Sequence, residues 1–326
     1  MKATAKAPSN IAFIKYWGKR DERLRLPLNS SVSMNLDRIY TVTTVEFSKR
    51  FEKDVFVLKG AKTTEKEKQR VFKHLDRVRR LAGITTRAKV VSENNFPKGT
   101  GLSSSASGFA ALSLAAATAA GLRLSEKELS CLARLGSGSA CRSIPDGFVE
   151  WKKGRSHSTS YAYSLFPPQY WQLYDVVAVV SREEKRVSTT EGHALARTSP
   201  FLKERVRRMP AKIRRLKEYL KKREFERFGQ LCEQEALEMH AVMISSWPAL
   251  LYWTPETLEL MKRVVRWREE GVGVYFTINT GQDCHLLTLR KWREEVERRL
   301  RSLRFVKRVI VNRPGVGARL LKSHLF

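Results

Sequence analysis

Acidic residues are scarce in this chain of 326 residues: 33 Asp and Glu stand against 62 Lys and Arg, a formal charge of +29. Cysteine is scarcer still. Cys131, Cys141, Cys232 and Cys284 are scattered without a CxxC pair, which excludes a zinc-ribbon layout and marks no disulfide framework. The expectation is reduced thiols in a cytoplasmic protein. Six histidines are equally dispersed, with no HExxH or other metal spacing. No run of about 18 apolar residues exists, so no transmembrane helix and no membrane partner are expected. The longest apolar stretch, 108–122, is Ala-rich and interrupted by Ser and Thr, as in a buried helix of a soluble core. The lysines at the N-terminus are followed by no apolar signal region, which points away from secretion.

What is present can fold. With 42% hydrophobic and 29% charged residues the chain buries a sizeable core and is not of disordered composition. Its length suits two domains or one two-lobed unit. The basic excess runs from Lys2 to Lys322. A basic protein attracts polyanions, nucleic acid included. In 201–228, however, Ile213, Leu216, Tyr219 and Leu220 recur at helical spacing and leave the Lys and Arg on the opposite face. Solvated helix faces therefore explain much of the charge. With no RNP-like, KH-like or zinc motif, no specific nucleic-acid partner is expected.

Alternation at 41–47 (TVTTVEF) and 54–58 (DVFVL) predicts half-buried strands. Residues 65–83 carry a helical pattern through Val71, Leu75, Val78 and Leu81, closed by Gly83. A short strand at 87–92 leads into a loop rich in Asn, Gly and Pro over 93–101, then a small-residue helix over about 103–121. Ser125 and Glu128 form a capping-box pattern for a helix to Leu135. The stretch 151–170 mixes Gly, Ser, His and a Pro-Pro pair, and a domain boundary is placed near its end, giving domains 1–170 and 171–326. Beyond it come a Val-rich strand at 174–180, two basic helices broken by Pro210, helices around 224–244 and 255–270, and strands at 273–278 and 305–311.

Three stretches exceed what a generic core needs. In 96–108 (FPKGTGLSSSASG), glycines and small hydroxyls sit where a loop enters a helix. Unpaired N–H groups and the helix dipole there make a phosphate cradle, and the pattern is neither a Walker loop nor a dinucleotide fingerprint. In 136–143 (GSGSACRS), serines and glycines flank Arg142, a planar cation suited to a carboxylate or phosphate. In 10–21 (NIAFIKYWGKRD), Lys15 and Lys19 bracket an aromatic pair. Each has a plain alternative: a helix-capping loop, a surface loop, and an aromatic core strand with incidental lysines.

Taken together, KYWGKRD at 15–21, PLNSSVSM at 27–34, SENNFP with GLSSSASGFAAL over 92–112, and GSGSACRS at 136–143 resemble the mevalonate diphosphate decarboxylase family. That family lies within the group of galactokinase, homoserine kinase, mevalonate kinase and phosphomevalonate kinase. The resemblance implies an α+β fold of two domains, a ribosomal-protein-S5-like N-terminal half and a ferredoxin-like C-terminal half, with the site between them. It implies ATP-dependent phosphorylation of the tertiary 3-hydroxyl of a 5-phosphorylated mevalonate, then loss of phosphate and carbon dioxide to give an isopentenyl product. Position by position, Lys98, Gly99, Thr100, Gly101, Leu102, Ser103, Ser104, Ser105 and Ser107 would hold ATP, and Ser105 a magnesium ion. Tyr16, Lys15 and Lys19 would meet substrate phosphate or the transferred group. Ser137 and Ser139 would bind the 5-phosphates and Arg142 the carboxylate. Ser188, in VSTTEG, matches a serine near the transferred phosphate. Met239-His240-Ala241 resembles a cleft-lining segment, with a core histidine as the plain reading of His240. A homodimer is compatible with the resemblance.

Two departures stand out. The family ordinarily carries an aspartate, assigned as catalytic base, in a stretch that here reads YFTINTGQDC over 275–284, with Asn279 in the aspartate's place. An amide orients a hydroxyl but takes no proton from it. Either a base is dispensable to a loose phosphoryl-transfer transition state, or Asp283 supplies the charge, or the reaction differs: a half-step, another substrate, or a nucleic-acid-binding relative without activity. In 144–147 (IPDG) the family usually has a Gly-Gly pair, and Asp146 near the substrate's end leaves mono- and diphosphate both open.

Overall fold

The computed structural model describes residues 1–96, 102–181 and 187–326. Lys98, Gly99, Thr100 and Gly101 therefore lie outside the described residues.

The first lobe begins with β1 (Lys2–Ile14), followed by β2 (Lys19–Asp21), β3 (Leu26–Pro27), the 18-residue β4 (Ser31–Ser48) and β5 (Val55–Lys59). Helix α1 (Glu65–Ala82), strand β6 (Arg87–Asn94), and helices α2 (Ser104–Ala119) and α3 (Glu126–Gly136) come next. A 3-10 helix at Gly138–Ser143 and strands β7 (Phe148–Trp151) and β8 (Ala162–Phe166) complete it. The sheet runs β13 (Arg319–Leu321), β1, β4, β6, β5, with β7 and β8 branching from the start of β4; β5 and β6 are parallel and the other pairs antiparallel. Ala3, Ala5 and Ala7 leave room above β1 for the Ala-rich face of α2, and α1 and α3 close over the same core. Thr64 and Ser125 cap α1 and α3 through full capping boxes with Glu67 and Glu128. Gly83 stops α1 at φ 63°, a left-handed conformation that glycine adopts without steric penalty.

The second lobe contains β9 (Leu173–Val179), α4 (Thr189–Leu195), α5 (Leu202–Lys222), α6 (Phe225–Ile244) and α7 (Pro255–Glu269). It continues with β10 (Val274–Thr277), β11 (Cys284–Leu289), α8 (Arg290–Arg301) and β12 (Arg308–Asn312). Its antiparallel sheet, β10-β11-β9-β12, lies between two helical layers. Alternate side chains of β9 face opposite ways, as the pleat requires. Val176 and Ala178 meet Leu260 and Val264 of α7 and Val296 and Leu300 of α8. Val177 and Val179 meet α5 and α6 and, past them, Ile11 and Phe13 of β1 with Met34 and Leu36 of β4. One core thus fuses the lobes. Strand β13 (Arg319–Leu321) returns from the end of the chain to pair with β1, so the sheets do not divide simply at residue 170.

The predicted break at Pro210 is absent: α5 is one helix with the proline inside it. An interior proline removes one ladder bond and costs about 3 kcal/mol. Here Arg205 and Met209 before it, and Lys212, Leu216 and Leu220 after it, are all buried. Tertiary anchors on both sides hold the axis together.

Candidate active site

A cleft of about 270 Å3 opens between the lobes. It is lined by Lys15, Tyr16, Lys19, Ser103, Ser104, Ser105, Ser137, Ser139, Arg142, Ser188 and Asn279, so the structure brings eleven of the expected site residues to one place. Residues 103–105 and 137–142 converge on it, with Ser105 Oγ and Ser137 Oγ 3.2 Å apart. Two residues expected to hold ATP are turned inward. Leu102 is buried, and its carbonyl accepts from Ser9 Oγ at 2.5 Å. Ser107 Oγ bonds Thr41 Oγ1 at 2.7 Å.

Arg142 is 4% exposed. Its Nη1 donates to Ser31 Oγ at 2.7 Å and its Nη2 to Asn10 Oδ1 at 3.0 Å, while Asn10 Nδ2 donates to Ser143 Oγ at 2.8 Å. Burial lowers its pKa, yet a guanidinium this basic stays charged. Tyr16 packs edge-on to Trp151 and tilts against His193. Its buried hydroxyl has no partner among the described residues, and burial raises its pKa strongly. Gly138 permits this placement, since a Cβ there would lie 2.6 Å from the ring. Lys19 Nζ donates to Glu22 Oε2 at 2.5 Å.

Lys15 follows the end of β1 and is 1% exposed. Its Nζ donates to Asn279 Oδ1 at 3.2 Å, and Asn279 Nδ2 donates to Ser103 Oγ at 3.2 Å. Ser103 holds φ 59°, a strained backbone for a non-glycine residue, at the entry to α2. Burial pushes the Lys15 pKa down to about 7; Cys232 and Glu235 oppose the shift and Arg142 adds to it. Below Lys15, Glu235 of α6 is fully buried, accepting from the Lys15 backbone N–H at 3.2 Å, from Lys212 Nζ at 2.8 Å and from Arg205. Ser188 caps α4 through a capping box with Glu191, which pairs with Lys66 of α1 at the cleft mouth.

His240 is a core histidine: its Nε2 meets the Asn279 carbonyl oxygen at 2.9 Å and its ring stacks on Trp253. Burial pushes its pKa down to about 3. Asp283 does not line the cleft. It is 2% exposed and accepts from Val180 N–H at 3.0 Å, so it does not replace the missing carboxylate. Asp146 is likewise outside; it accepts from Gly317 N–H at 2.6 Å and ties down the C-terminal segment. Sequence reasoning missed Arg25, Glu67, Arg70, His193 and Thr280, which also line the cleft. The first four come from a turn and helices with no unusual composition, and only tertiary packing aims them inward. Thr280 Oγ1 meets Thr189 Oγ1 at 2.8 Å and stitches the second lobe's wall.

Five basic side chains, Lys15, Lys19, Arg25, Arg70 and Arg142, thus surround one lining carboxylate, Glu67, among the described residues. A second, more apolar cavity of about 110 Å3 adjoins the cleft, sharing Glu67, Arg70, Ser104 and Ser105 and reaching Phe56, Leu58 and Phe109. An apolar chamber opening on a cationic, hydroxyl-lined cleft at a helix N-terminus defines a binder of phosphorylated metabolite and nucleotide. Residues 7–162 match the family diphosphomevalonate decarboxylase-like N-terminal domain, and residues 175–312 the mevalonate 5-diphosphate decarboxylase C-terminal domain. The chain is 37% identical to the diphosphomevalonate decarboxylase of Ganoderma lucidum over 83% of its own length and 72% of that protein. It is 33% identical to the phosphomevalonate decarboxylase of Haloferax volcanii over 91% of both. A solved structure of MDDEF in complex with MVAPP, AMPPCP and magnesium shares its fold at a TM-score of 0.93, with 39% identity over 99% of both chains. The chain belongs to the diphosphomevalonate decarboxylase family.

Proposed function

We propose that this protein catalyses the ATP-dependent decarboxylation of diphosphomevalonate: phosphorylation of the 3-hydroxyl, then loss of phosphate and carbon dioxide. The convergence of the Ser105 and Ser137 loops on a buried Arg142, opposite Lys15 and Asn279, carries the reading. Buried Arg142 suits the substrate carboxylate, because its fork is fixed by Asn10 and Ser31 before any ligand arrives. Ser137, Ser139 and Lys19 suit the 5-phosphates. The N-terminus of α2, with Ser103, Ser104 and Ser105, suits the triphosphate, and the apolar annex suits the nucleoside. Phosphate departing from C3 leaves positive charge that the adjacent carboxylate relieves by fragmenting.

Among the described residues no group of three or more His, Cys, Asp or Glu side chains could hold a metal ion. That donor set fits magnesium borne on nucleotide phosphates, an ion content with one or two protein ligands, here the Ser105 hydroxyl. Such an ion neutralises charge on the transferring phosphoryl group. No helix among the described residues is long and apolar enough to cross a membrane, and a cytoplasmic site of action accords with a small phosphorylated substrate.

The similarity to the Haloferax volcanii enzyme favours one second reading, mevalonate 5-phosphate as substrate. Incubation with each mevalonate phosphate separately, with ATP and magnesium, decides it. Equal ADP and carbon dioxide from the diphosphate is the expected result. Both products from the monophosphate alone would select the second reading, and ADP without carbon dioxide would mean a kinase.

A further inference from the structure

Transfer of a phosphoryl group to the 3-hydroxyl leaves a proton to be taken up, and the side chains around the cleft differ sharply in their capacity to take it. Asn279 is an amide. Glu67 accepts from Thr64 N–H at 2.9 Å in the capping box of α1. His193 accepts from Gly18 N–H at 2.9 Å through Nδ1, which leaves its Nε2 as the protonated nitrogen. Tyr16 is a phenol whose burial opposes ionisation. Burial lowers the Lys19 pKa too, but Glu22 opposes the shift and occupies its Nζ.

We propose that Lys15, as a neutral amine oriented by Asn279, accepts the proton of the substrate 3-hydroxyl during phosphoryl transfer. This rests on the decarboxylase reading above. The Nζ lone pair takes the hydroxyl proton and becomes an ammonium. The hydroxyl oxygen forms its bond to the γ-phosphorus as the bond from that phosphorus to the bridging oxygen breaks, and ADP leaves. A neutral amine still has two N–H groups, one of which donates to Asn279 Oδ1 at 3.2 Å while the lone pair stays free.

Burial and the charge of Arg142 favour the neutral form, against Cys232, Glu235 and Asp175, which favour the ammonium. Facing Lys15 are Cys232, Glu235 and His240 of α6, Arg142 of the 3-10 helix, Asp175 of β9 and Arg205 of α5, whose guanidinium donates to the Lys15 carbonyl at 3.3 Å. Glu235, the nearest carboxylate, also serves Arg205 and Lys212, and it contacts the Lys15 backbone. With burial the main cause, the amine titrates near 7, where a general base works best. An aspartate at 279 would hold the proton on Lys15. The amide there removes one base and frees another.

The test is ADP formation from diphosphomevalonate as a function of pH for the wild type, Asn279→Asp, Lys15→Arg and the double variant. The wild-type kcat/KM should rise through a midpoint near 7. In Asn279→Asp the carboxylate holds the proton on Lys15 and takes over as base, so the limb becomes the carboxylate's own and should lie at least about one unit lower. Lys15→Arg imposes a permanent positive charge that cannot release its proton, so ADP formation should fall about 10²–10⁴-fold. Lys15→Arg/Asn279→Asp should recover much of it, which also shows that arginine at 15 is compatible with folding. A Lys15→Arg rate within threefold of wild type, or an Asn279→Asp limb that does not move, would overturn the role and leave Lys15 a fixed charge. Absence of ADP from the wild type with every mevalonate phosphate would overturn the function itself, a different failure.

Discussion

On the first lobe's wall, Arg142 sits buried between Asn10 and Ser31, and Ser105 and Ser137 meet across 3.2 Å. On the opposite wall the second lobe contributes Asn279, bonded to Lys15 and Ser103, and the Thr189–Thr280 pair, all neutral. In the proposed reading the first wall recognises anions with a permanent cation in a fixed frame. The second positions groups without adding charge, which leaves Lys15 free to respond to pH. On that reading the first lobe carries both the anion-binding cation and the base, Lys15, and the second lobe tunes the base across the cleft, with one shared core holding the two in register.

The strongest challenge to that division is Arg142→Met. Removing a buried, hydrogen-bonded charge that meets a charged ligand should lower kcat/KM about 10³-fold; a steady-state ADP assay reading less than tenfold would mean that the second wall shares recognition. The join between the walls should be nearly as sensitive. Glu235→Ala leaves Arg205 and Lys212 buried without their shared carboxylate and should destabilise the fold by about 3 kcal/mol or more in urea unfolding.

One histidine in each lobe gives a matched pH probe. Burial pushes both His74 and His240 down to about 3, against an ordinary value of 6.5. Below 6.5 the unfolded chain takes up protons that the folded one refuses, so stability is full above that pH and is lost as pH falls toward 3. At pH 5 each should forfeit about 2 kcal/mol relative to pH 7. His74→Gln should remove only the first lobe's share, measured by denaturation at the two pH values. Gly138→Ala forces the Tyr16 ring aside and should cost about 1–3 kcal/mol, with a raised KM. Ser103→Ala, which frees the Asn279 amide, should lower kcat about fivefold, the worth of one hydrogen bond.

Much of the first lobe was legible because its signals are local. The capping box at Ser125, the periodicity and closing glycine of α1 and the alternation within β4 each fix a conformation over a few residues. The second lobe was read less completely. Strand β11 and helix α8 follow one another without a turn residue between Leu289 and Arg290, so no breaker announced either. In α5 the proline read as a break because its compensating contacts come from another helix, α6, packed against it. The same limit applied at the site. Ser105, Ser137 and Arg142 lie in glycine- and serine-rich stretches that advertise themselves, whereas Arg70 and His193 belong to ordinary helices.

The sequence by itself determined the family, the hydroxyl- and glycine-rich loops, and the presence of an amide at 279. Those depend on residue identity and short-range spacing. Only the tertiary structure decided which charges meet. It turned Asp283 and Asp146 away from the cleft, placed Asn279 on the Lys15 side-chain nitrogen, and buried that lysine among groups drawn from α5, α6 and β9. Desolvation and charge pairing act through space, over distances the order of residues does not encode.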